Sequence, residues 1–171
     1  MKKILLLLSV VGTLTFTSCN NDDDVYVDND TIGENKQLSN VNLTFDNNTG
    51  RYQLLYPLNP AIFESDVVLV YRNVIDDGFS AWQQIPRTIY LGGPDEVDYD
   101  FNFTANDVLI YADATFDLSL APEFINNQSF RIVIVPAAFV NDIDTSDYDA
   151  VMSALNDAGA EVRTIDGIER R

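Results

Sequence analysis

The feature that most limits how this chain folds is the alternation of Val97, Tyr99, Phe101 and Phe103 with Asp98, Asp100 and Asn102. Successive side chains of a strand point to opposite faces, so a period of two places one face in a core and the other in water. The same period recurs in Val41, Leu43, Phe45 and again in Tyr52, Leu54, Tyr56, with turn-forming residues 46–50 between them. That spacing predicts a hairpin. Residues 67–71 and, apart from Arg131, 130–135 are apolar without alternation, as expected of central strands buried on both faces. Residues 82–91 read as a strand interrupted at Pro86, hence an edge or a bulge. Further strands are expected at 108–111, 116–120 and 162–165. Between them the period changes: Tyr148, Val151, Met152 and Leu155 share one helical face. Thr145 and Ser146 followed by Asp149 form a capping-box start, and Gly159 is a stop signal. The expected fold is mainly β: an antiparallel β-sandwich or barrel-like single domain over residues 41–171, with one short C-terminal α-helix.

The N-terminus has a different character. Lys2 and Lys3 precede an apolar run at 4–11, then Thr17 and Ser18, then Cys19. This is the order of a secretory signal, and the run is shorter than the ~20 residues of a spanning helix. Small residues followed directly by Cys resemble the bacterial lipobox, with Phe16 in the place usually held by Leu. The resemblance implies cleavage after residue 18 and a diacylglycerol on the Cys19 thiol. Cys19 is the only cysteine, so it has no internal disulfide partner. Residues 19–40 are expected to be an acidic flexible tether, since their few apolar groups do not offset the entropy of ordering. The run NNDDD at 20–24 resembles the surface-export signal of Bacteroidota-type lipoproteins; a plain charged spacer explains the same residues. The expected address is the outer membrane, on the cell surface or on its periplasmic face. Asp30, Thr31 and Ile32 resemble an O-glycosylation motif of exported proteins in that group, which makes Thr31 a candidate acceptor.

The formal charge of −17 disfavours nucleic acid, which needs a basic footprint, and direct docking on anionic headgroups. It suits a neutral glycan or a protein partner, and divalent cations. The chain has no histidine and no cysteine besides Cys19. Histidine-based catalysis, thiol chemistry and ordinary zinc sites are therefore excluded, and no Gly-rich loop joins a strand to a helix. Carboxylates and aromatics remain. Asp98 and Asp100 share one strand face at roughly 6.6–6.8 Å, a separation that any i, i+2 pair of acids meets. They define one alternative, a carboxylate-based hydrolase acting on glycans. Asp142, Asp144 and Asp147 define another, a calcium-dependent surface module. An EF-hand is excluded there, because its sixth position is Asp147 and its twelfth is Ser153. Acids against the positive end of a helix explain those three residues equally well. Among the aromatics, Trp82 is the candidate for stacking a ligand.

The segments DVVLVYR (66–72), WQQIPR (82–87), VDYDFNFT (97–104), DVLIY (107–111) and FRIVIVP (130–136) resemble small uncharacterised flavobacterial lipoproteins, some of which carry the name dihydrolipoamide dehydrogenase. That name is contradicted by the residues, since the chain lacks the dinucleotide-binding glycines, the redox cysteine pair and the catalytic histidine. The resemblance implies lipid anchoring and supplies no activity. The reading that follows is a non-enzymatic binding or structural module without cofactor, held to the membrane by lipid on Cys19.

Overall fold

The computed structural model describes residues 33–166; the signal segment 1–18, Cys19 and Thr31 lie outside the described residues. The strands are β1 (Glu34–Val41), β2 (Thr44–Asp46), β3 (Arg51–Pro57), β4 (Val67–Asp76), β5 (Phe79–Ile85), β6 (Arg87–Gly92), β7 (Asp95–Phe103), β8 (Asp107–Ala114), β9 (Gln128–Val135) and β10 (Val162–Asp166). The helices are α1 (Ala137–Val140) and α2 (Tyr148–Asp157). One sheet runs β10-β1-β9-β4-β5 and the other β2-β3-β8-β7-β6. All pairings are antiparallel except β1 with β10, which is parallel. The mainly β single domain expected from the alternation is present, as a two-sheet sandwich.

The two apolar runs, the second broken only by Arg131, have a structural reason. Val68 and Val70 of β4 and Phe130, Ile132 and Ile134 of β9 face the second sheet, where Val97, Tyr99, Val108 and Ile110 meet them. The intervening residues, Leu69, Tyr71, Val133 and Val135, face outward and are covered by Val151 and Leu155 of α2. The first sheet is thus sandwiched between the second sheet and a helix, and its middle strands have no wet face. Burying each such side chain contributes about 1.5–3 kcal/mol, so both cores are needed to hold β4 and β9 flat against their neighbours.

The chain changes sheets four times, and two of these crossings are tight corners. After β1 it crosses through Asn42 and Leu43 into β2, with Asn40 at φ 54° and a register shift between Leu38 and Val41. The corner is tied down by Leu43 N–H donating to Ile125 O at 2.8 Å and Asn127 N–H donating to Asn42 Oδ1 at 2.8 Å. The predicted hairpin is therefore shorter than expected: Phe45 pairs with Tyr52, while Val41 belongs to the other sheet. The second corner is Pro86. What reads as one interrupted strand at 82–91 is two edge strands, β5 and β6, in opposite sheets.

Three further expectations change. Residues 34–40, expected as part of a tether, form β1 instead, which lies between β9 and β10 and pairs on both sides, while Leu38 and Val41 enter the core. Composition underrated this stretch because sheet pairing satisfies its backbone. Residues 116–120 are not a strand: the Asp117 carboxylate accepts from Ser119 N–H and starts a 3-10 turn at Leu118–Leu120. The cap of α2 is Asp147, one residue after Ser146, accepting from the N–H groups of Asp149 and Ala150 at 2.9 and 3.2 Å. No helix among the described residues is long and apolar enough to cross a membrane.

Where the chain enters the domain, Gly33 sits hard against α2. A Cβ there would collide with Leu155 and lie 2.9 Å from the Ile134 carbonyl oxygen. Gly33→Ala is expected to lower stability by about 1–3 kcal/mol through overpacking, read as a lower urea midpoint. An unchanged midpoint would mean that α2 yields without cost.

Candidate functional site

The sequence-predicted carboxylate pair lies on the open outer face of the second sheet. Register places Asp98 of β7 opposite Thr88 of β6 and Asp113 of β8, and Asp100 opposite Tyr111. Each acid has a partner there. Thr88 donates to Asp98, Tyr111 donates to Asp100 at 3.1 Å, and Arg51 pairs with Asp113 at 2.7 Å. The Arg51 guanidinium also lies over the Tyr111 ring at 4.7 Å. Burial and the bond to Asp100 push the Tyr111 phenol up from its ordinary value. The depression over these residues measures about 360 Å³. Asp98 and Asp100 stand side by side along one strand and do not face each other across a cleft. Asp113 and Arg51 escaped the sequence reading, because only the β3-β8-β7 pairing brings them to the pair.

Two of the three calcium candidates are spent on local structure. Asp147 caps α2, and Asp144 accepts from both the N–H and the hydroxyl of Ser146 at 3.0 and 2.6 Å. Those hydrogen bonds hold the Asp144 carboxyl below the usual carboxylate range. Asp142 is exposed. Among the described residues no group of three or more acidic, histidine or cysteine side chains is placed to hold a metal ion.

Trp82 is not a free platform on both faces. The Arg131 guanidinium lies 4.2 Å from the centre of its ring and 5.8 Å from that of Tyr148. Arg131 also donates to Gln37 Oε1 at 2.6 Å and to the Tyr148 hydroxyl. Trp82 packs against the core beneath α2. Sequence alone made it a stacking candidate because Arg131 is not visible there as its partner.

A roomier concavity lies elsewhere, between the β4–β5 ribbon of one sheet and β6 of the other, and measures about 640 Å³. It exists because the chain changes sheets at Pro86, leaving two edge strands side by side in opposite layers. Arg72 of β4 and Arg87 of β6 both line it. Arg72 is held by a built support. Its guanidinium lies 4.2 Å from the Tyr99 ring centre, and its Nε donates to Gln128 Oε1 at 2.9 Å. Gln128 is fixed in turn, its amide donating to the carbonyls of Glu123 and Asn126 at 2.8 and 2.7 Å. The Tyr99 hydroxyl donates to Phe124 O at 2.7 Å. Burial lowers the Arg72 guanidinium below its ordinary value. Among the described residues its two terminal nitrogens have no hydrogen-bond acceptor and no carboxylate within ion-pair distance, and the same holds for Arg87. Lys36 and Arg51, by contrast, are paired with Glu34 and Asp113. At the rim, Ile75 and Tyr90 are 72 % and 78 % exposed. Sequence reasoning missed this site. Arg72 and Arg87 are fifteen residues apart on strands of different sheets, and neither stands in a motif.

Comparison with protein-family models, with curated proteins and with solved structures returns no match.

Proposed function

We propose that this chain is an outer-membrane lipoprotein, anchored through Cys19, whose β-sandwich is a non-enzymatic binding module with the groove between β4–β5 and β6 as its ligand site. The observation that carries the reading is Arg72. A guanidinium clamped by Tyr99 and Gln128, with its terminal nitrogens left open to a concave surface, is prepared for a partner outside the chain. An apolar rim beside it adds area for contact. The hydrolase reading has less support. Its two carboxylates lie along one strand of an open face, each already hydrogen-bonded, and the groove is lined by a single acid, Asp76. The calcium reading has less support as well, because Asp147 and Asp144 are used by the helix start.

The test is site-specific photocrosslinking on intact cells with the full chain. A crosslinker replacing Tyr90 is expected to capture an envelope component, whereas one replacing the exposed Leu55, on the outer face of β3, is not. Equal capture at both positions, or none at 90, would defeat the groove as the site. In the same cells Cys19→Ser is expected to move the protein from the membrane to the soluble fraction. Retention of that variant in the membrane would defeat the lipid anchor.

A further inference from the structure

From the same groove, and resting on its being the ligand site, we infer that the ligand is an acidic sugar: an oligosaccharide carrying one uronic acid whose carboxylate binds between Arg72 and Arg87. Four features converge on this class. The first is the pair of guanidinium groups. A guanidinium presents a planar fork of donors that matches a carboxylate, and Arg72 is fixed in one pose by the Tyr99 ring and Gln128 before any ligand arrives. The second is the wall chemistry. The amides of Asn73, Gln83 and Asn127 and the hydroxyl of Ser129 line the same space. Neutral donors and acceptors of that kind suit a ligand rich in hydroxyls. The third is Tyr90, an exposed ring at the rim, which offers a flat apolar face to a pyranose. The fourth is charge. The chain as a whole carries −17, and the groove includes Asp76. A polyanion would be repelled on approach, and a second carboxylate near the rim would meet Asp76. A ligand with a single negative group, seated at the arginines, avoids both penalties.

The size agrees: about 640 Å³ falls in the range of small-molecule sites and takes two or three sugar rings. Burial of Arg72 sharpens the preference, since a desolvated cation interacts more strongly with the one anion that reaches it.

The experiment is calorimetric titration of the full chain with three probes: a xylo-oligosaccharide ending in one glucuronic acid, the same sugar with its carboxyl reduced to an alcohol, and inorganic phosphate. The acidic sugar is expected to bind about tenfold or more tightly than the reduced one, the scale of a charged hydrogen-bonded contact. Arg87→Gln, an exposed position, is expected to remove most of that difference without altering the urea midpoint. Arg72→Lys, which keeps the charge and loses the fork, is expected to weaken the acidic sugar about tenfold and leave the reduced sugar unchanged. Equal binding of the two sugars, both weakened by Tyr90→Ala, would overturn the carboxylate assignment and leave the groove as the site. Phosphate displacing the sugar at comparable concentration would overturn the sugar assignment in favour of a phosphate monoester. Binding of no probe would overturn the acidic sugar; the groove itself would then stand or fall on the crosslinking at position 90.

Discussion

Replacing Arg131 with alanine is expected to cost about 3 kcal/mol of folding stability and to shift the fluorescence of Trp82 in the same variant. Arg131 joins three strands and a helix. It sits on β9, stacks on Trp82 of β5 and Tyr148 of α2, and donates to Gln37 of β1. A desolvated cation–π contact is worth about 2 kcal/mol, and a charged hydrogen bond about 1.5–3 kcal/mol, so the loss exceeds that of an ordinary surface substitution. One nitrogen of the group, Nε, is buried without a partner and offsets part of the gain. Arg131→Met separates the two contributions. Methionine keeps a long side chain between the rings and removes the unpartnered nitrogen, so it is expected to cost less than half as much as alanine. Trp82 is the only tryptophan in the chain, so its emission reports this contact directly. Urea midpoints for the two variants, read by Trp82 emission and by far-ultraviolet circular dichroism, provide the check. Equal midpoints for wild type and Arg131→Ala would mean that α2 is held by Val151 and Leu155 alone.

The same residue marks the limit of what the sequence can reveal. The apolar runs at 67–71 and 130–135 could be read as doubly buried, because burial on two faces leaves few polar positions, here Arg131 alone among the charged ones, and so leaves a mark on the string. The helical face of Tyr148, Val151, Met152 and Leu155 was legible for the converse reason: it is a one-sided element with period 3.6. Arg72, Arg87 and Arg131 carry no such mark. A cation on a strand reads as a solvated position, whereas Arg72 and Arg131 are stacked on rings contributed by other strands. Those rings arrive through pairing and through the change of sheet at Pro86, which no local pattern announces. The groove inherits that illegibility, since it is lined by β4, β6 and the start of β9, which meet only after the chain has turned its corner. Asp98 and Asp100 show the opposite case. Their common face was evident from spacing, but the partners that occupy them, Thr88 and Tyr111, lie on neighbouring strands. The stretch 34–40 misled for a related reason: its composition is that of a tether, and only pairing to β9 and β10 on its two sides makes it a strand.

Alkaline pH is expected to unfold the domain over a defined window, between about pH 10 and pH 12. Tyr71 and Tyr99 are each 1 % exposed, and burial pushes both phenols up from 10.0 to about 12. Below pH 10 both groups hold their protons in the folded and the unfolded chain alike, and the stability is fully present. Above pH 10 the unfolded chain gives up these protons while the folded one keeps them until about pH 12. The unfolded state therefore binds fewer protons, and stability falls as pH rises. Each group contributes about 1.4 kcal/mol per pH unit, so the pair removes on the order of 5 kcal/mol across the window, comparable to the whole stability of a small domain. Two variants divide the effect. The Tyr71 hydroxyl is buried without a hydrogen-bond partner, so Tyr71→Phe is expected to be neutral or to stabilise by about 1 kcal/mol at pH 7. Tyr99→Phe loses the bond to Phe124 O and part of the attraction that holds Arg72, and is expected to cost about 1 kcal/mol at pH 7. At neutral pH the two substitutions thus differ in sign or in size, while above pH 10 each lowers the alkaline slope by its own phenol's share. Urea denaturation at pH 8, 10, 11 and 12 would resolve both effects. A wild-type stability that stays level from pH 9 to pH 12 would contradict the burial of these phenols, and with Tyr99 would go the support that keeps Arg72 poised in the groove.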